Sequence, residues 1–169
     1  MIEKDITSAQ PADRHDGYLA IYEMNLPMKQ RCRILNEVIS WHPDAWKVVG
    51  ITPAALEIFA QHNFKRVAKM GIQRAHLVDR ADTYREMLNT CMSNCDEWWE
   101  YYCNNDRTVF STVEENMGDM NIDTIIWFDA PGLFNIQGFA WRHRKIEIEF
   151  LRNLYDTTHK NCNNQTTYN

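Results

Sequence analysis

The stretch 70-MGIQRAHLVDRADTYREML-88 changes from one hydrophobic period to another within a few residues. From residue 72 to residue 77 the side chains of Ile72, Arg74 and His76 alternate with those of their neighbours. This period of two predicts a short β-strand. Thr83 and Glu86 then have the spacing of a capping box, in which each side chain accepts from the other's backbone N–H, and they predict a helix start. His76 lies where the strand meets the helix.

Helical periodicity dominates both sides of this junction. After it, apolar residues recur every three or four positions from Tyr84 to about Cys103 and predict one long helix. Before it, residues 28–40 and 50–64 show the same spacing, and Thr52 stands at the N-cap position of the second of these segments, one residue before a proline. The sequence therefore predicts two helices ahead of the strand and one behind it.

Further strands and helices follow. Residues 108–112 are β-prone and brief, and Thr112 with Glu115 predicts another capped helix directly after them. An apolar IIWF run at 125–128 and a helical pattern at 145–155 complete the order. This mixture of helices with short strands predicts the α+β class.

Length and composition favour one domain. A chain of 169 residues with 44% hydrophobic residues is long enough to bury one substantial core. Residues 1–17 and 159–169 are mostly polar, so we expect flexible tails at both ends. The predicted domain is residues 18–158.

The net charge and the cysteines limit the cellular setting. A charge of −5 argues against a protein that coats nucleic acid indiscriminately. No apolar run approaches the ~20 residues of a membrane span, and the first residues lack the order of a signal peptide. Five cysteines without a C-x-x-C pair are typical of reduced thiols in the cytoplasm. Zinc binding by Cys91, Cys95 and Cys103 is the alternative for three of them.

Two segments together resemble the HNH, or ββα-metal, nuclease family. Ala75-His76-Leu77-Val78 is similar to the family's A-H-[IL]-[IV] first strand, and 108-TVFSTVEEN-116 is similar to its strand-to-helix segment. The resemblance covers roughly residues 70–120, although no aspartate precedes His76 as in many family members. It implies a small ββα-metal-like core embedded among helices, in a metal-dependent DNA endonuclease or nickase.

The resemblance also implies roles for individual residues. His76 would be the general base that activates water, since a neutral imidazole takes a proton at physiological pH. Asn105, or its neighbour Asn104, would stand at the family's middle asparagine and brace the site. The expected cofactor is Mg²⁺ or another divalent metal, because hard cations prefer oxygen ligands. The expected metal ligands are Asn116, Glu115 and Asp79, with Asp106 as a further oxygen donor.

DNA is the partner that this reading implies. Clusters of lysine and arginine supply affinity through phosphate contacts without reading base sequence. On a strand, Arg74 and His76 would project from the same face. The expected nucleic-acid contacts are Lys65, Arg66, Lys69, Arg74, Arg80, Arg142 and Arg144, and His62 and His143 are spare site histidines.

Other classes of function compete with the nuclease. A histidine in a strand is often a structural residue, and turns are rich in asparagine and aspartate whatever their role. A non-catalytic binding protein of the phage or mobile-element type would use the acidic segment 96–123 and exposed aromatic residues against a protein partner. A helix-turn-helix regulator would use residues 29–64. A structure in which His76, Asn105 and Asn116 lie close together would favour the nuclease.

Overall fold

The computed structural model describes residues 10–39, 42, 45–118, 120–134 and 144–165, with side chains to residue 160. Within these ranges the protein has an α+β fold, with four strands in one mixed sheet. The helices are α1 Pro11–Tyr22, α2 Met28–Ile39, α3 Pro53–Gln61, α4 Arg80–Asn89, α5 Cys95–Asn105, α6 Val113–Met117 and α7 Lys145–Gln165. The strands are β1 Lys47–Ile51, β2 Ile72–His76, β3 Arg107–Thr112 and β4 Ile126–Trp127.

The described residues divide into two compact units. The first contains the residues up to 47 together with 76–108, and the second contains 48–75 and the residues from 109 onward. The prediction was a single domain over 18–158. Each unit has its own hydrophobic core.

Helices α1, α2, α4 and α5 build the first unit around buried aromatic rings. Tyr18, Trp98 and Tyr102 are fully buried there, together with Leu35 and Ile39 of α2. The prediction of a flexible tail over residues 1–17 is wrong for its last part, because residues 11–17 form the first turns of α1. Pro11 at the helix start and the reciprocal bonds between Gln10 and Asp13 explain why the helix begins there.

The sheet belongs to the second unit, except for strand-end residues that fall in the first. Its strand order is β2-β3-β1-β4, and β1 pairs antiparallel with β4. Gly50 pairs with Trp127, and a Cβ at Gly50 would come within 2.7 Å of the Ile125 side chain, so only glycine allows this approach. Phe59, Phe110 and other buried apolar residues form the core of this unit.

Several predicted elements are confirmed. The strand at 72–76, the helix α2 and the Thr52-capped helix α3 lie where the sequence predicts them. The strand β3 passes directly into α6, which Thr112 and Glu115 cap reciprocally. The chain thus contains the predicted strand pair followed by a helix, although α6 has only five residues.

Three predicted elements are wrong. The long helix to Cys103 is two helices, because the chain turns extended at Thr90 and Asn94 caps a new helix. The first of them begins at Arg80 with Asp79 as its cap, so Thr83 is an interior residue and not a cap. Strand β1 lies between α2 and α3, which excludes a helix-turn-helix over residues 29–64.

The C-terminal helix is longer than predicted. The pattern at 145–155 continues as α7 to Gln165, so residues 159–165 of the predicted flexible tail are helical. Among the described helices, none combines the length and the apolar composition that a membrane span requires.

Candidate functional site

His76 is the last residue of β2 and lies in the first unit. Its ring nitrogen Nε2 is 3.1 Å from Oδ1 of Asp106, and its side chain is 15% exposed. The imidazole and the Trp46 ring make an edge-to-face contact, with the ring centroids 4.3 Å apart. His76 is therefore neither a core residue nor a loosely held surface residue, because one nitrogen is bound in the interior while part of the ring reaches solvent.

Asp106 is a buried carboxylate that gathers donors from distant parts of the unit. It follows α5 as its C-cap residue and is only 2% exposed. The Trp46 backbone N–H and the Tyr102 hydroxyl each donate to its Oδ2 over 2.7 Å, and Nε of Arg80 lies 2.9 Å from its Oδ1. A buried charge is tolerated where hydrogen bonds and an opposite charge replace water in this way.

Arg80 completes this network from the first turn of α4. Its guanidinium lies 4.6 Å from the centroid of the Trp46 ring and 5.4 Å from that of Tyr84, so two aromatic faces hold it in place. It also donates to the Tyr102 hydroxyl over 3.3 Å. We call His76, Arg80, Tyr102, Asp106 and Trp46 the Asp106 cluster.

Trp46 adopts a backbone conformation that side chains other than glycine rarely take. Its φ is +60°, in the left-handed region, which costs on the order of 1–3 kcal/mol unless the surroundings impose it. The bond from its N–H to Asp106 and the contacts of its ring with His76 and Arg80 supply that constraint. Strain of this kind is concentrated at functional sites in proteins, which makes the cluster the strongest candidate in the first unit.

The pKa shifts follow from this geometry. Burial acts to raise the pKa of Asp106, but the His76 hydrogen bond, the Arg80 charge and the Trp46 and Tyr102 donors together hold that pKa below its ordinary value. Burial acts to lower the pKa of Arg80, and the Asp106 charge reverses this and raises it. Burial, followed by the Asp106 charge, raises the pKa of the Tyr102 hydroxyl. At neutral pH the cluster therefore holds an ionised aspartate, a charged arginine and a protonated tyrosine.

An ionised Asp106 decides which nitrogen of His76 carries the proton. A carboxylate only accepts hydrogen bonds, so Nε2 of the neutral ring is the donor and the proton-accepting lone pair is on Nδ1. A fixed tautomer with a charged acceptor behind it is the arrangement of a general base and its orienting group. The cluster can thus take a proton at Nδ1 and stabilise the imidazolium that forms.

Two of the predicted site residues, Asn105 and Asp79, have structural tasks. The Asn105 amide donates to the Tyr101 carbonyl over 2.8 Å, which is a bond within the last turn of α5. Oδ1 of Asp79 accepts from the Ala81 N–H over 2.7 Å as the cap of α4. Both residues fall in the first unit, and the contacts described for them lie within their own helices.

The other two predicted metal ligands, Glu115 and Asn116, belong to the second unit. Oε2 of Glu115 accepts from the Thr52 hydroxyl over 2.7 Å and from the Thr112 N–H over 2.9 Å, and Asn116 is exposed on α6. In the ranges that the structure covers, no three His, Cys, Asp or Glu side chains come together as a metal would require. The Mg²⁺ ligand set Asn116, Glu115 and Asp79, and the alternative zinc site at Cys91, Cys95 and Cys103, stay predictions.

Three of the predicted DNA contacts are engaged within the protein. Arg74 is only 8% exposed and donates to the Phe134 carbonyl over 2.5 Å, so it does not share a solvent-facing surface with His76. Arg80 is paired with Asp106, and Arg144 is paired with Glu147 over 2.7 Å. Lys65, Arg66 and Lys69 are exposed, whereas Arg142 and His143 lie outside the described residues.

A second buried carboxylate, Glu147 of α7, organises the second unit. It is 1% exposed and accepts from the Phe134 N–H over 2.6 Å and from the Arg144 N–H over 2.7 Å. Burial acts to raise the pKa of Glu147, but the Arg144 and Phe134 donors hold it below its ordinary value. Burial lowers the pKa of nearby Arg74 to about 10. Glu147 thus binds the backbone at both Phe134 and Arg144 and holds these two residues close together.

Sequence reasoning missed Trp46 and Tyr102 and did not pair Asp106 with His76. Asp106 counted only as one of several oxygen donors, and Trp46 and Tyr102 had no part in the predicted site. One local signal exists, because Tyr102 and Asp106 are four residues apart at the end of a helix, where side chains meet. The approach of Trp46, which is 60 residues away from Asp106, has no such signal.

The chain was compared with protein-family models, with curated proteins and with solved structures. No family model matches it, and neither a curated protein nor a solved structure matches it significantly. The HNH resemblance of residues 70–120 therefore stays a prediction, and the α+β fold stands on the structure alone.

Proposed function

We propose that the protein hydrolyses phosphodiester bonds in DNA, with His76 as the general base. The observation that supports this most is the hydrogen bond of 3.1 Å between Nε2 of His76 and the buried Asp106. It leaves Nδ1 as the proton acceptor on a ring that is partly exposed. The resemblance to HNH nucleases points to the same histidine.

The proposed chemical step uses His76 as the proton acceptor at the attacking water. The water oxygen forms a bond to phosphorus as its proton passes to Nδ1 of His76, and the bond from phosphorus to the leaving oxygen breaks. The leaving oxygen then takes a proton from solvent or from the imidazolium. The ionised Asp106 stabilises the imidazolium between these events, because it is hydrogen-bonded to the same ring.

DNA is the proposed substrate class. Lys65, Arg66 and Lys69 are exposed and remain the proposed phosphate contacts, since contacts of this kind supply affinity without base specificity. The cytoplasm is the proposed location, and the free thiols of the described cysteines agree with a reducing compartment. Dependence on Mg²⁺, which the resemblance implies, remains a prediction, and no step above passes through a metal.

The test is cleavage of supercoiled plasmid and of labelled single- and double-stranded oligonucleotides. We expect His76→Ala to lower the cleavage rate by about 10²–10⁴-fold while the melting temperature and DNA affinity stay close to wild type. His159→Ala is the matched control, because His159 also pairs with a carboxylate, Glu57 at 2.8 Å, and its side chain is 46% exposed. The control should cut at the wild-type rate.

Two outcomes would overturn the proposal. A folded His76→Ala protein that cuts at the wild-type rate would remove His76 from the chemistry. A wild-type protein that cuts none of these substrates, with or without Mg²⁺ or Mn²⁺, would remove the nuclease itself. A parallel reaction in chelator tests the metal prediction separately, since undiminished cleavage there contradicts it without affecting the role of His76.

Exposed apolar residues favour a second candidate function, that of a non-catalytic protein that binds another protein. Met117 is 82% exposed, Ile122 is 55% exposed and Trp127 is 51% exposed, and all three lie in or next to the acidic segment 96–123. Large apolar side chains in contact with solvent are typical of interfaces. If Trp127→Ala abolished a specific protein complex while His76→Ala left it intact, this candidate would gain over the nuclease.

A further inference from the structure

A cavity of about 960 Å³ opens in the first unit between α2 and the first half of α4. This is at the upper end of the size range of small-molecule sites. The lining includes the apolar groups of Met28, Cys32, Ile34 and Tyr84. We call this feature the α2–α4 cavity.

The apolar lining is held in a fixed arrangement. Tyr84 is only 3% exposed overall, and its hydroxyl donates to Oδ1 of Asn36 over 3.3 Å, which ties α4 to α2. Burial raises the pKa of the Cys32 thiol, so this side chain stays a neutral, apolar group at neutral pH. A ligand that enters the cavity therefore meets a preformed apolar wall and need not order it.

The charged side chains of the cavity are mainly cationic. Lys29, Arg33, Arg80 and Arg85 line it, against the single carboxylate of Glu37. Asp106 pairs with Arg80 and offsets its charge, so Arg80 adds little to the positive charge of the cavity.

Lys29 and Arg33 are exposed side chains on α2. Arg85 forms an ion pair with Asp82, but the two side chains are 53% and 65% exposed, and a pair this exposed exchanges partners at little cost. Lys29, Arg33 and Arg85, set against Glu37 and Asp82, thus leave a small positive excess of charge at the mouth of the cavity.

We propose that the α2–α4 cavity binds a small phosphate ester whose body is an alkyl chain or an aromatic base on its sugar, such as an alkyl phosphate or a nucleoside monophosphate. The anionic group meets Lys29, Arg33 and Arg85, and the body packs on Met28, Cys32 and Ile34. The shared chemistry is a phosphate ester on an apolar or aromatic group. This site shares Arg80 with the Asp106 cluster, but the binding it proposes does not depend on the proposed cleavage reaction.

Binding is measured by titration calorimetry and by amide chemical shifts of α2 and α4 in the full-length protein. Four probes separate the contributions of charge and body: decyl phosphate, inorganic phosphate, decanol and decyltrimethylammonium, all below their aggregation concentrations. Deoxythymidine monophosphate is a fifth arm. We expect decyl phosphate or the nucleotide to bind at least about tenfold more tightly than the other three, because only these two have both parts. The tighter of the two identifies the body as an alkyl chain or a base.

Charge variants test the assigned residues. Lys29→Glu with Arg33→Glu should weaken probe binding by about tenfold or more, because like charges at a site repel the ligand. Both side chains are exposed, so the fold tolerates the change. Glu37→Gln should tighten binding. Lys145→Glu with Lys160→Glu is the matched control, since it makes the same charge change on exposed residues of the second unit that have no proposed binding role.

Three results would overturn the proposal. The first is the absence of any shift in α2 and α4 with all five probes. The second is decanol binding as tightly as decyl phosphate, which would leave no role for the cations. The third is unchanged probe affinity in the Lys29 and Arg33 double variant.

Discussion

The Asp106 cluster of the first unit and the Glu147 network of the second are built on the same plan. Each carboxylate is almost fully buried, and each binds the backbone N–H of an aromatic residue with positive φ, +60° at Trp46 and +56° at Phe134. Each is also paired with an arginine. In both places a buried charge fixes a strained turn that the local sequence would not hold by itself.

The two networks differ in their remaining partners. Asp106 also binds His76, a side chain that can gain and lose a proton and whose ring reaches solvent. The partners of Glu147 are the Phe134 and Arg144 backbone N–H groups and the Arg144 guanidinium, which act only as hydrogen-bond donors. A buried carboxylate therefore does not by itself indicate a reactive site. The titratable, partly exposed partner is what singles out the first unit.

The largest expected effect comes from Asp106→Asn. The change keeps the volume but removes the charge opposite Arg80, whose side chain is 14% exposed, and an unpaired buried charge costs about 3–5 kcal/mol of unfolding free energy. Urea denaturation at pH 7 measures it. DNA cleavage should fall as well, because the amide no longer fixes the tautomer of His76. A variant as stable as wild type would show that Arg80 is readily hydrated.

Glu147→Gln should have a smaller effect, of about 1–3 kcal/mol. The charge-assisted bonds to Phe134 and Arg144 are lost, but the Arg144 side chain is 50% exposed and returns to water. The same urea denaturation compares the two variants directly. If both networks serve structure alone, neither substitution changes cleavage per folded molecule, whereas we expect only the Asp106 substitution to do so.

The stability of the wild-type protein should fall at acid pH. Asp106 and Glu147 both have folded-state pKa values below their ordinary values of 3.8 and 4.5, so the unfolded chain binds more protons there. Their stabilisation is full above the ordinary values and is lost as pH falls through the folded values, at no more than about 1.4 kcal/mol per group and pH unit. Asp106→Asn should show a shallower loss in urea denaturation between pH 5 and 2. Parallel curves for variant and wild type would contradict the assigned shift.

Tyr102→Phe should have the smallest effect. It removes one neutral donor to Asp106 and a long hydrogen bond of 3.3 Å from Arg80, and it leaves the contacts of Asp106 with His76, Arg80 and Trp46 in place, which costs about 0.5–1.5 kcal/mol. Cleavage should stay near the wild-type rate, because Nδ1 of His76 is unaffected. Thermal unfolding and the plasmid assay together decide this. A loss of cleavage as large as that of His76→Ala would mean that the hydroxyl acts in the reaction.

The parts of the fold that the sequence predicts correctly depend on neighbours a few residues apart. Thr52 caps α3, and Thr112 with Glu115 caps α6, through bonds that span three residues. The break between α4 and α5 was missed because the apolar period runs on through it, from Tyr84 and Leu88 to Trp98, all of which pack in the same core. Periodicity reports which side chains are buried, and two short helices on one core repeat it as well as one long helix does.

In the candidate site too, the sequence predicted the local features correctly and missed the long-range contacts. His76 was identified from the sequence as a strand-end histidine, and its position at the end of β2 is as predicted. The predicted partners Asn105, Asp79 and Glu115 are occupied by helix capping or by bonds within a turn, which are the commonest uses of such residues. The partner that His76 has in the structure is Asp106, which lies 30 residues away and which the sequence offered only as one of several oxygen donors.

The sequence by itself determined the local elements of this protein: the capped helices, the short strands, and a histidine at the junction of β2 and α4. Tertiary structure alone decided that Asp106 is buried beneath that histidine, with Trp46, Arg80 and Tyr102 around it. The physical reason is desolvation. An aspartate stays ionised in the interior only where several donors converge on it, and these donors come from segments up to 60 residues apart, whose meeting no local pattern records.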